Sequence, residues 1–181
     1  INSPETEFYK KGNNLYNISS AKRNMSKTDE VFIVEGYMDV VNLHKFKIEN
    51  VVANLGTALT ERQIDLIWRF FKKPVICLDG DVSGKKAAVR AAERLFPLMK
   101  PDFNIFFLTL PENLDPDSYI NQYGKDEFIK FSKSKKEIQK GDLQYSLCTT
   151  SAKKNMLNIN NMGETTHKQK NAHMVHKFLE M

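Results

Sequence analysis

Two short apolar runs that end in an acidic residue and a glycine constrain this chain more than any other feature. They read VFIVEG over residues 31–36 and VICLDGD over residues 75–81. A short apolar run bounded by a turn signal is typical of a buried strand. Because glycine carries no Cβ, it leaves room for acidic side chains on adjacent turn positions. The pattern therefore predicts buried strands that carry carboxylates at their carboxyl ends.

Strand-like and helix-like segments alternate from Glu30 to about Gly124. The predicted strands are Val31–Val34, Val51–Ala53, Val75–Leu78 and Phe103–Leu110. The predicted helices are Tyr37–Lys47, one that starts near Thr60, one from about Ser83 to Met99, and Asp117–Tyr123, which Gly124 closes. Strands that alternate with helices pair in parallel through right-handed crossovers, with helices on both faces of the sheet. We therefore predict an α/β fold with a four-stranded, mainly parallel sheet flanked by helices.

The helix that starts near Thr60 is well marked in the sequence. Thr60 and Gln63 have the spacing of a capping box, in which the two residues cap each other at a helix start. Apolar residues then recur at helical spacing along one face, and Trp68 lies on that face. Pro74 prevents the helix from continuing further. We expect Trp68 to belong to the core.

A third group of acids follows the predicted strand Phe103–Leu110. Asp115 and Asp117 flank Pro116 after a short polar loop, so three strand-like runs deliver acids from their carboxyl ends. In open parallel sheets that edge is where ligands bind, and carboxylate oxygens suit Mg²⁺. Acids gathered there without cations would repel one another. The sequence therefore predicts a bound divalent metal ion.

The acidic motifs also have a structural interpretation, which the sequence leaves open. The Asp79–Gly80 pair is typical of an ordinary turn between a strand and a helix. Asp115 stands before Pro116, the arrangement of an ordinary N-cap with proline at the first helical position. Turn or cap chemistry thus explains each motif taken alone. A ligand site exists only if the fold brings the acidic motifs close together in space.

Length and composition limit the classes of protein to consider. The 181 residues suffice for one domain with a core, and the formal net charge is +5. That mild excess is compatible with a polyanionic partner, although solvated lysines would produce the same charge. Two cysteines are too few for a disulfide scaffold, and no apolar run approaches the roughly 18 residues of a membrane span. We expect a cytoplasmic protein without membrane contact and, because the first residue is Ile1, a piece of something longer.

The two ends of the chain differ from the alternating region. Residues 1–28 form an irregular, basic lead-in, and residues 133–181 are polar, rich in asparagine and poor in large apolar groups. A segment of that composition cannot bury enough apolar surface to offset the entropy lost on ordering. We therefore expect residues 133–181 to be a disordered tail.

Three ordered motifs resemble the Toprim signature as it occurs in bacterial DNA primases. They are EGYMDVV at residues 35–41, DGDVSGKKAA at residues 79–88 and DPD at residues 115–117. The opening INSPETEFYKKGNNLYN also resembles that family, at the end of the small basic subdomain before Toprim. The resemblance covers about residues 1–132, with Ser83 where the family usually has alanine. It implies that residues 1–28 end the basic subdomain and residues 29–132 form a Toprim domain, followed by sequence unlike the family.

The resemblance also implies an activity and a site. The activity is the synthesis of short RNA primers on single-stranded DNA at replication forks, with Mg²⁺ or Mn²⁺ as cofactor. The implied site residues are Glu35, Asp79 and Asp81 as catalytic and metal-binding acids, Asp115 and Asp117 as further metal-binding acids, and Asn2 and Lys11 in a basic groove for nucleic acid or nucleotide phosphates. Asp39 belongs to the first motif, but we expect it to favour the helix dipole from the first helical turn.

The same resemblance also implies the molecules that the protein binds. They are a single-stranded DNA template, ribonucleoside triphosphates and the RNA primer. Family members bind zinc in an N-terminal domain and the replicative helicase through a C-terminal domain, and neither domain is recognisable in this sequence. We therefore expect a fragment, truncated at both ends, that binds Mg²⁺ or Mn²⁺ but makes little or no primer alone.

Two other functions remain open at the level of the sequence. Toprim nucleases and topoisomerases use similar acids to cut phosphodiester bonds, although a topoisomerase needs a nucleophilic tyrosine and nothing marks Tyr37 as one. The third possibility is an inactive remnant that only binds metal or nucleic acid. This possibility stays open because residues 133–181 lack the regular apolar spacing of the helical subdomain that follows Toprim in primases.

Overall fold

The computed structural model describes residues 4–54, 58–99 and 102–137, which belong to one compact unit, Ile1–Ile138. A five-stranded sheet in the order β2-β1-β3-β4-β5 forms its centre. The strands are β1 (Glu30–Val34), β2 (Val51–Ala53), β3 (Lys73–Leu78), β4 (Phe106–Thr109) and β5 (Lys136–Glu137). The α-helices are α1 (Ile18–Ala21), α2 (Tyr37–Lys45), α3 (Glu61–Trp68), α4 (Val82–Leu95) and α5 (Pro116–Ser132). None of the helices in these ranges is both long enough and apolar enough to span a bilayer.

The predicted α/β fold with a mainly parallel sheet is confirmed. β1 pairs in parallel with β2 and β3, and β3 pairs in parallel with β4. The sheet has one strand more than predicted, because β5 pairs antiparallel with β4 through Phe106 and Phe107. Two charged residues give no strand signal by themselves, so this pairing depends on contacts between distant segments. β5 lies within residues 133–181, which were predicted to be disordered, so that prediction is wrong for the first five of these residues. Residues 138–181 lie outside the described residues.

Strand and helix bounds differ from the predicted ones where the chain turns. β4 begins at Phe106 rather than Phe103, after Asp102 adopts a left-handed conformation with φ of 68°. α4 ends at Leu95, and a short 3-10 turn with Pro97 near its start follows it. Proline has no N–H to donate to an α-helical turn. The helix predicted to reach Met99 is therefore shorter.

α5 is longer than the predicted helix Asp117–Tyr123. Gly124 does not end it but introduces a kink, with φ of 76° and ψ of 177°, after which helical turns resume. The second half packs Phe128, which is fully buried, against Phe32 of β1 at a ring-centroid distance of 5.3 Å. Burying a phenylalanine side chain contributes about 1.5–3 kcal/mol. That contact with the sheet explains why the helix continues beyond a glycine typical of a helix end.

The predicted capping box at the start of α3 is confirmed, and it also holds the N-terminal lead-in. Thr60 Oγ1 accepts a hydrogen bond from the Gln63 N–H at 3.2 Å and donates one to the carbonyl of Gly12 at 2.6 Å. The Gln63 amide donates to the carbonyls of Lys11 and Asn14 at 3.1 and 2.7 Å. The irregular lead-in is thus hydrogen-bonded to the α/β layer.

A second attachment of the lead-in lies on β2. Tyr16 forms an antiparallel bridge with Ala53, through N–H to carbonyl distances of 2.9 and 3.3 Å. The Asn17 amide donates to the carbonyl of Val51 at 2.9 Å. Trp68 is buried as predicted, with 6% of its surface exposed, and packs edge-on against Phe103.

Glycine at position 80 is required by a close approach of two backbone segments. A Cβ on Gly80 would lie 1.8 Å from the carbonyl oxygen of Pro111 and 2.7 Å from that of Leu110. The Gly80 N–H donates to the carbonyl of Leu114 at 2.9 Å. The turn after β3 is therefore held directly against the loop between β4 and α5.

We predict that Gly80→Ala lowers the free energy of unfolding by roughly 1–3 kcal/mol, because the added methyl group would displace backbone rather than a flexible side chain. Urea unfolding followed by circular dichroism measures the change. Gly12→Ala is the matched control, since its Cβ would meet only the Thr60 methyl group, at 3.2 Å. Equal stabilities for the two variants would contradict the assigned role of Gly80.

Candidate functional site

Parallel pairing brings acidic residues from three strands to one edge of the sheet. Ile33 of β1 pairs with Ile76 of β3, and Leu78 of β3 pairs with Thr109 of β4, so the three strands end side by side. Acidic residues follow each strand end or stand in the helical turn after it. We call this set the acid rim: Glu35, Asp39, Asp79, Asp81, Asp115 and Asp117.

Asp79 lies at the centre of the acid rim. Burial, the larger cause, and the charges of neighbouring acids together raise the pKa of its carboxyl from 3.8 to about 6. Those neighbours are, in decreasing order of effect, Glu35, Asp39, Asp115 and Asp81. A nearby carboxylate disfavours the charged form of Asp79, and this effect weakens with distance, so the acids that act on Asp79 lie close to it. The structure therefore brings together four of the five acids predicted from the sequence, with Asp117 outside the group that acts on Asp79.

Asp39 is a member of the acid rim that the sequence analysis had assigned only to the helix dipole. The residue is buried, with 8% of its surface exposed, and burial is the main cause that raises its pKa to about 6. Its carboxylate accepts hydrogen bonds from the N–H of Gly36 at 2.9 Å and the N–H of Asp117 at 3.3 Å. Asp39 thus joins the start of α2 to the start of α5. Its place in the EGYMDVV motif, four residues after Glu35, was the sequence signal that could have assigned it to the site.

Two of the acids also cap helices. Asp81 Oδ1 accepts a hydrogen bond from the Gly84 N–H at 2.6 Å, and Asp115 Oδ1 accepts one from the Ser118 N–H at 2.7 Å. The cap interpretation of Asp115 is therefore confirmed, and the same chemistry applies to Asp81. A cap engages one carboxylate oxygen, so each residue keeps a second oxygen for other partners. Capping and ligand binding are compatible at both positions.

Asp117 is held by two amide side chains that the sequence analysis did not single out. Asn42 and Asn121 each donate from Nδ2 to Asp117 Oδ1, at 2.5 Å in both cases. Asn42 belongs to α2 and Asn121 to α5. The charge of Asp117 acts on Asp39, which places it at the α5 side of the acid rim.

The donor set fits a hard divalent cation in its chemistry. Carboxylate oxygens are the ligands that Mg²⁺ and Mn²⁺ prefer, and the rim gathers four acidic side chains around Asp79. Within residues 4–54, 58–99 and 102–137, however, no three carboxyl, imidazole or thiol groups lie close enough to hold one ion. A cation would therefore need rotations of the rim side chains around it, and Glu35 and Asp81 are exposed enough to make them.

The structure tests neither of the two predicted contacts with nucleic acid. Asn2 lies outside the described residues. Lys11 is half-buried in the turn that Gln63 holds, and its backbone N–H donates to the Glu5 carboxylate at 2.7 Å. Tyr16, farther along the same lead-in, packs edge-on against Tyr37 in the first turn of α2, near Glu35. Contact between Lys11 and a nucleic acid stays a prediction.

The Toprim domain family matches residues 29–108. Among curated proteins, the DNA primase of Haemophilus influenzae is 41% identical over 138 residues, which are 76% of this chain and 23% of that protein. The DNA primase of Clostridium acetobutylicum is 42% identical over 130 residues, 72% of this chain and 21% of that protein. The chain thus spans less than a quarter of the length of these relatives.

Solved structures agree with these sequence matches. A DNA primase domain from Pseudomonas aeruginosa superposes with a TM-score of 0.74 at 36% identity, covering 83% of this chain and 47% of that one. A primase catalytic domain bound to single-stranded DNA superposes with a TM-score of 0.71 at 36% identity, covering 75% of this chain and 44% of that one. Together with the rim geometry, these matches show that the chain contains a Toprim domain and is homologous to the part of bacterial DNA primases that carries it.

Proposed function

We propose that this chain is the Toprim part of a primase catalytic core that joins ribonucleotides into short RNA primers on single-stranded DNA. The observation that carries the proposal is the acid rim, formed by three adjacent parallel strands in a chain homologous to bacterial DNA primases. Parallel α/β sheets bind ligands at this edge. The proposal extends to action in the bacterial cytoplasm at the replication fork.

Mg²⁺ or Mn²⁺ is the proposed cofactor. Glu35, Asp79 and Asp81 would hold it, with Asp115 and Asp117 as further acids of the site. Phosphodiester formation builds negative charge on the attacking 3′-oxygen and on the leaving pyrophosphate, and bound divalent ions stabilise that charge. Any zinc is expected only in an N-terminal domain of the kind that family members carry.

The residues around the rim have roles that depend on their observed contacts. Gly80 holds the Asp79 turn against the loop that leads to Asp115, through its hydrogen bond to the Leu114 carbonyl. The N-caps at Asp81 and Asp115 fix the starts of α4 and α5 relative to that turn. These contacts limit how far the carboxylates can separate in response to their repulsion. The backbone that carries the rim is therefore fixed before a substrate phosphate reaches it, while the exposed side chains can still rotate.

The proposed partners are a single-stranded DNA template, ribonucleoside triphosphates and the growing RNA primer. The homologous catalytic domain bound to single-stranded DNA supports the template. Lys11, together with Asn2, is proposed to contact phosphates from the lead-in. The replicative helicase would bind through a domain outside the region of similarity.

Primer synthesis by the isolated chain is expected to be weak or absent, because the chain covers less than a quarter of the curated relatives. Labelled ribonucleotides on single-stranded DNA with Mn²⁺ measure it, with a full-length relative as the positive control. Efficient synthesis by the 181 residues alone would contradict this expectation. Nicking of supercoiled plasmid without primer synthesis would instead support the nuclease alternative.

Metal binding is predicted to depend on the centre of the rim. We expect Asp79→Asn and Asp81→Asn each to weaken Mn²⁺ binding by about tenfold or more, because each removes a charged donor. Asparagine retains an oxygen that can still cap α4 at position 81. Electron paramagnetic resonance of free Mn²⁺ gives the affinity, and Asp126→Asn, an exposed acid in the second half of α5, is the matched control. Unchanged affinity in both rim variants would remove the site assignment.

Stability is predicted to fall as the pH rises through the range from about 4 to 6. The folded state holds a proton on Asp79 more tightly than the unfolded chain does, since its pKa is raised from 3.8 to about 6. Stability that depends on this proton is present below pH 4 and lost above pH 6. Asp79→Asn should therefore gain free energy of unfolding relative to the parent as pH rises, by about 1 kcal/mol after solvent screening.

Urea unfolding at pH 4, 5, 6 and 7.5 measures this difference. Asp126→Asn again serves as the control and should show a difference from the parent that varies little with pH. Saturating Mn²⁺ should reduce the advantage of Asp79→Asn at pH 7.5, because the cation would offset the repulsion in the parent. A constant difference between Asp79→Asn and the parent across the four pH values would contradict the assigned repulsion.

A further inference from the structure

We propose that Asn42 and Asn121 are positioning residues that orient the Asp117 carboxylate for cation binding at the acid rim. Both amides donate to the same oxygen, Oδ1, at 2.5 Å. The Asn121 amide also donates to the backbone carbonyl of Asp117 at 2.9 Å. The inference rests on the proposed function, in which the rim binds a divalent cation.

The two donors come from different helices. Asn121 stands one helical turn after Asp117 on α5, whereas Asn42 reaches across from α2. On the same α2 segment, Asp39 accepts the backbone N–H of Asp117. α2 thus holds Asp117 at both its backbone and its side chain, which restricts rotation of the carboxylate.

The choice of oxygen has a consequence for ligand binding. A carboxylate offers about four acceptor positions on its two oxygens. Because both amides use Oδ1, the second oxygen, Oδ2, is the one left to accept a cation. Repulsion by Asp39 would otherwise drive the Asp117 side chain away from the rim, and two hydrogen bonds oppose that movement.

The neutrality of the donors is the second argument. Amides orient a carboxylate without cancelling its charge, whereas lysine or arginine would form an ion pair that competes with a bound cation. No lysine or arginine in the described ranges forms an ion pair with Asp117. The site therefore keeps the full negative charge of Asp117 while fixing its direction.

A purely structural role for these amides predicts a different result. If the amides only stabilise the fold by connecting α2 to α5, a variant that keeps the fold stable would leave metal binding unchanged. A positioning role predicts that metal affinity follows the orientation and charge of Asp117 rather than stability alone.

Mn²⁺ titration by electron paramagnetic resonance, with thermal unfolding in the absence of metal, separates these roles. We expect Asn42→Ala to weaken Mn²⁺ binding by about tenfold, the usual scale for residues that orient metal ligands. In an Asp117→Asn background the same substitution should cause no further loss, because Asn42 acts through Asp117. A full additional loss in that background, or parent affinity in Asn42→Ala, would overturn the inference.

Asn121→Lys provides a second test that does not depend on a destabilised fold. A lysine four residues after an aspartate on an exposed helix face supports the helix, so the melting temperature should equal or exceed that of the parent. The new ion pair should nevertheless weaken Mn²⁺ binding several-fold. Gln122→Lys, an exposed neighbour that adds the same charge, is the control and should retain closer to parent affinity.

The outcomes distinguish this inference from the proposed function. If Asp79→Asn loses Mn²⁺ binding while Asn42→Ala and Asn121→Lys bind like the parent, the metal site stands and the positioning role is wrong. If Asn121→Lys and Gln122→Lys weaken binding equally, general charge explains the effect and the positioning role is again wrong. If the parent does not bind Mn²⁺, both the proposed site and its positioning residues are overturned.

Discussion

Parallel hydrogen bonding between β1, β3 and β4 is the constraint on which the candidate site depends. The ladder makes three neighbouring strands end at one edge, and each strand is followed by acidic residues. Contact of the Gly80 backbone with the loop after β4 then fixes the distance between two of these acidic segments. A shift of one residue in either pairing would turn every side chain of a strand to the opposite face and move its acids away from the rim.

Concentrating carboxylates at one edge is unfavourable, and the fold tolerates it through local hydrogen bonds. Asp39, Asp81 and Asp115 each accept backbone N–H groups at helix starts, where negative charge is favoured. Asp117 accepts amide donors instead. Asp79 is left with the effect of burial combined with that of four neighbouring charges. The interactions that hold the rim together are thus those that position helices, and they leave net negative charge at its centre.

Sequence reasoning was accurate where the signal was local. The apolar runs predicted β1 to β4, the Thr60 and Gln63 spacing predicted the start of α3, and the acidic motifs predicted most of the rim. It missed features that depend on contacts between distant segments. Gly124 has the signal of a helix end, yet packing of Phe128 on the sheet continues α5. The contact between Asn42 and Asp117 joins residues 75 positions apart, which no periodicity reveals.

The attachment of the lead-in to β2 has a consequence for the solubility of the sheet. An open edge strand exposes a row of backbone groups that can pair with another molecule and begin aggregation. On one side of this sheet, Tyr16 and Asn17 already engage backbone groups of β2. On the other side, β5 is two residues long and both are charged. Within the described residues, neither border offers a long free ladder, so the lead-in that is proposed to contact template also shields the sheet from self-association.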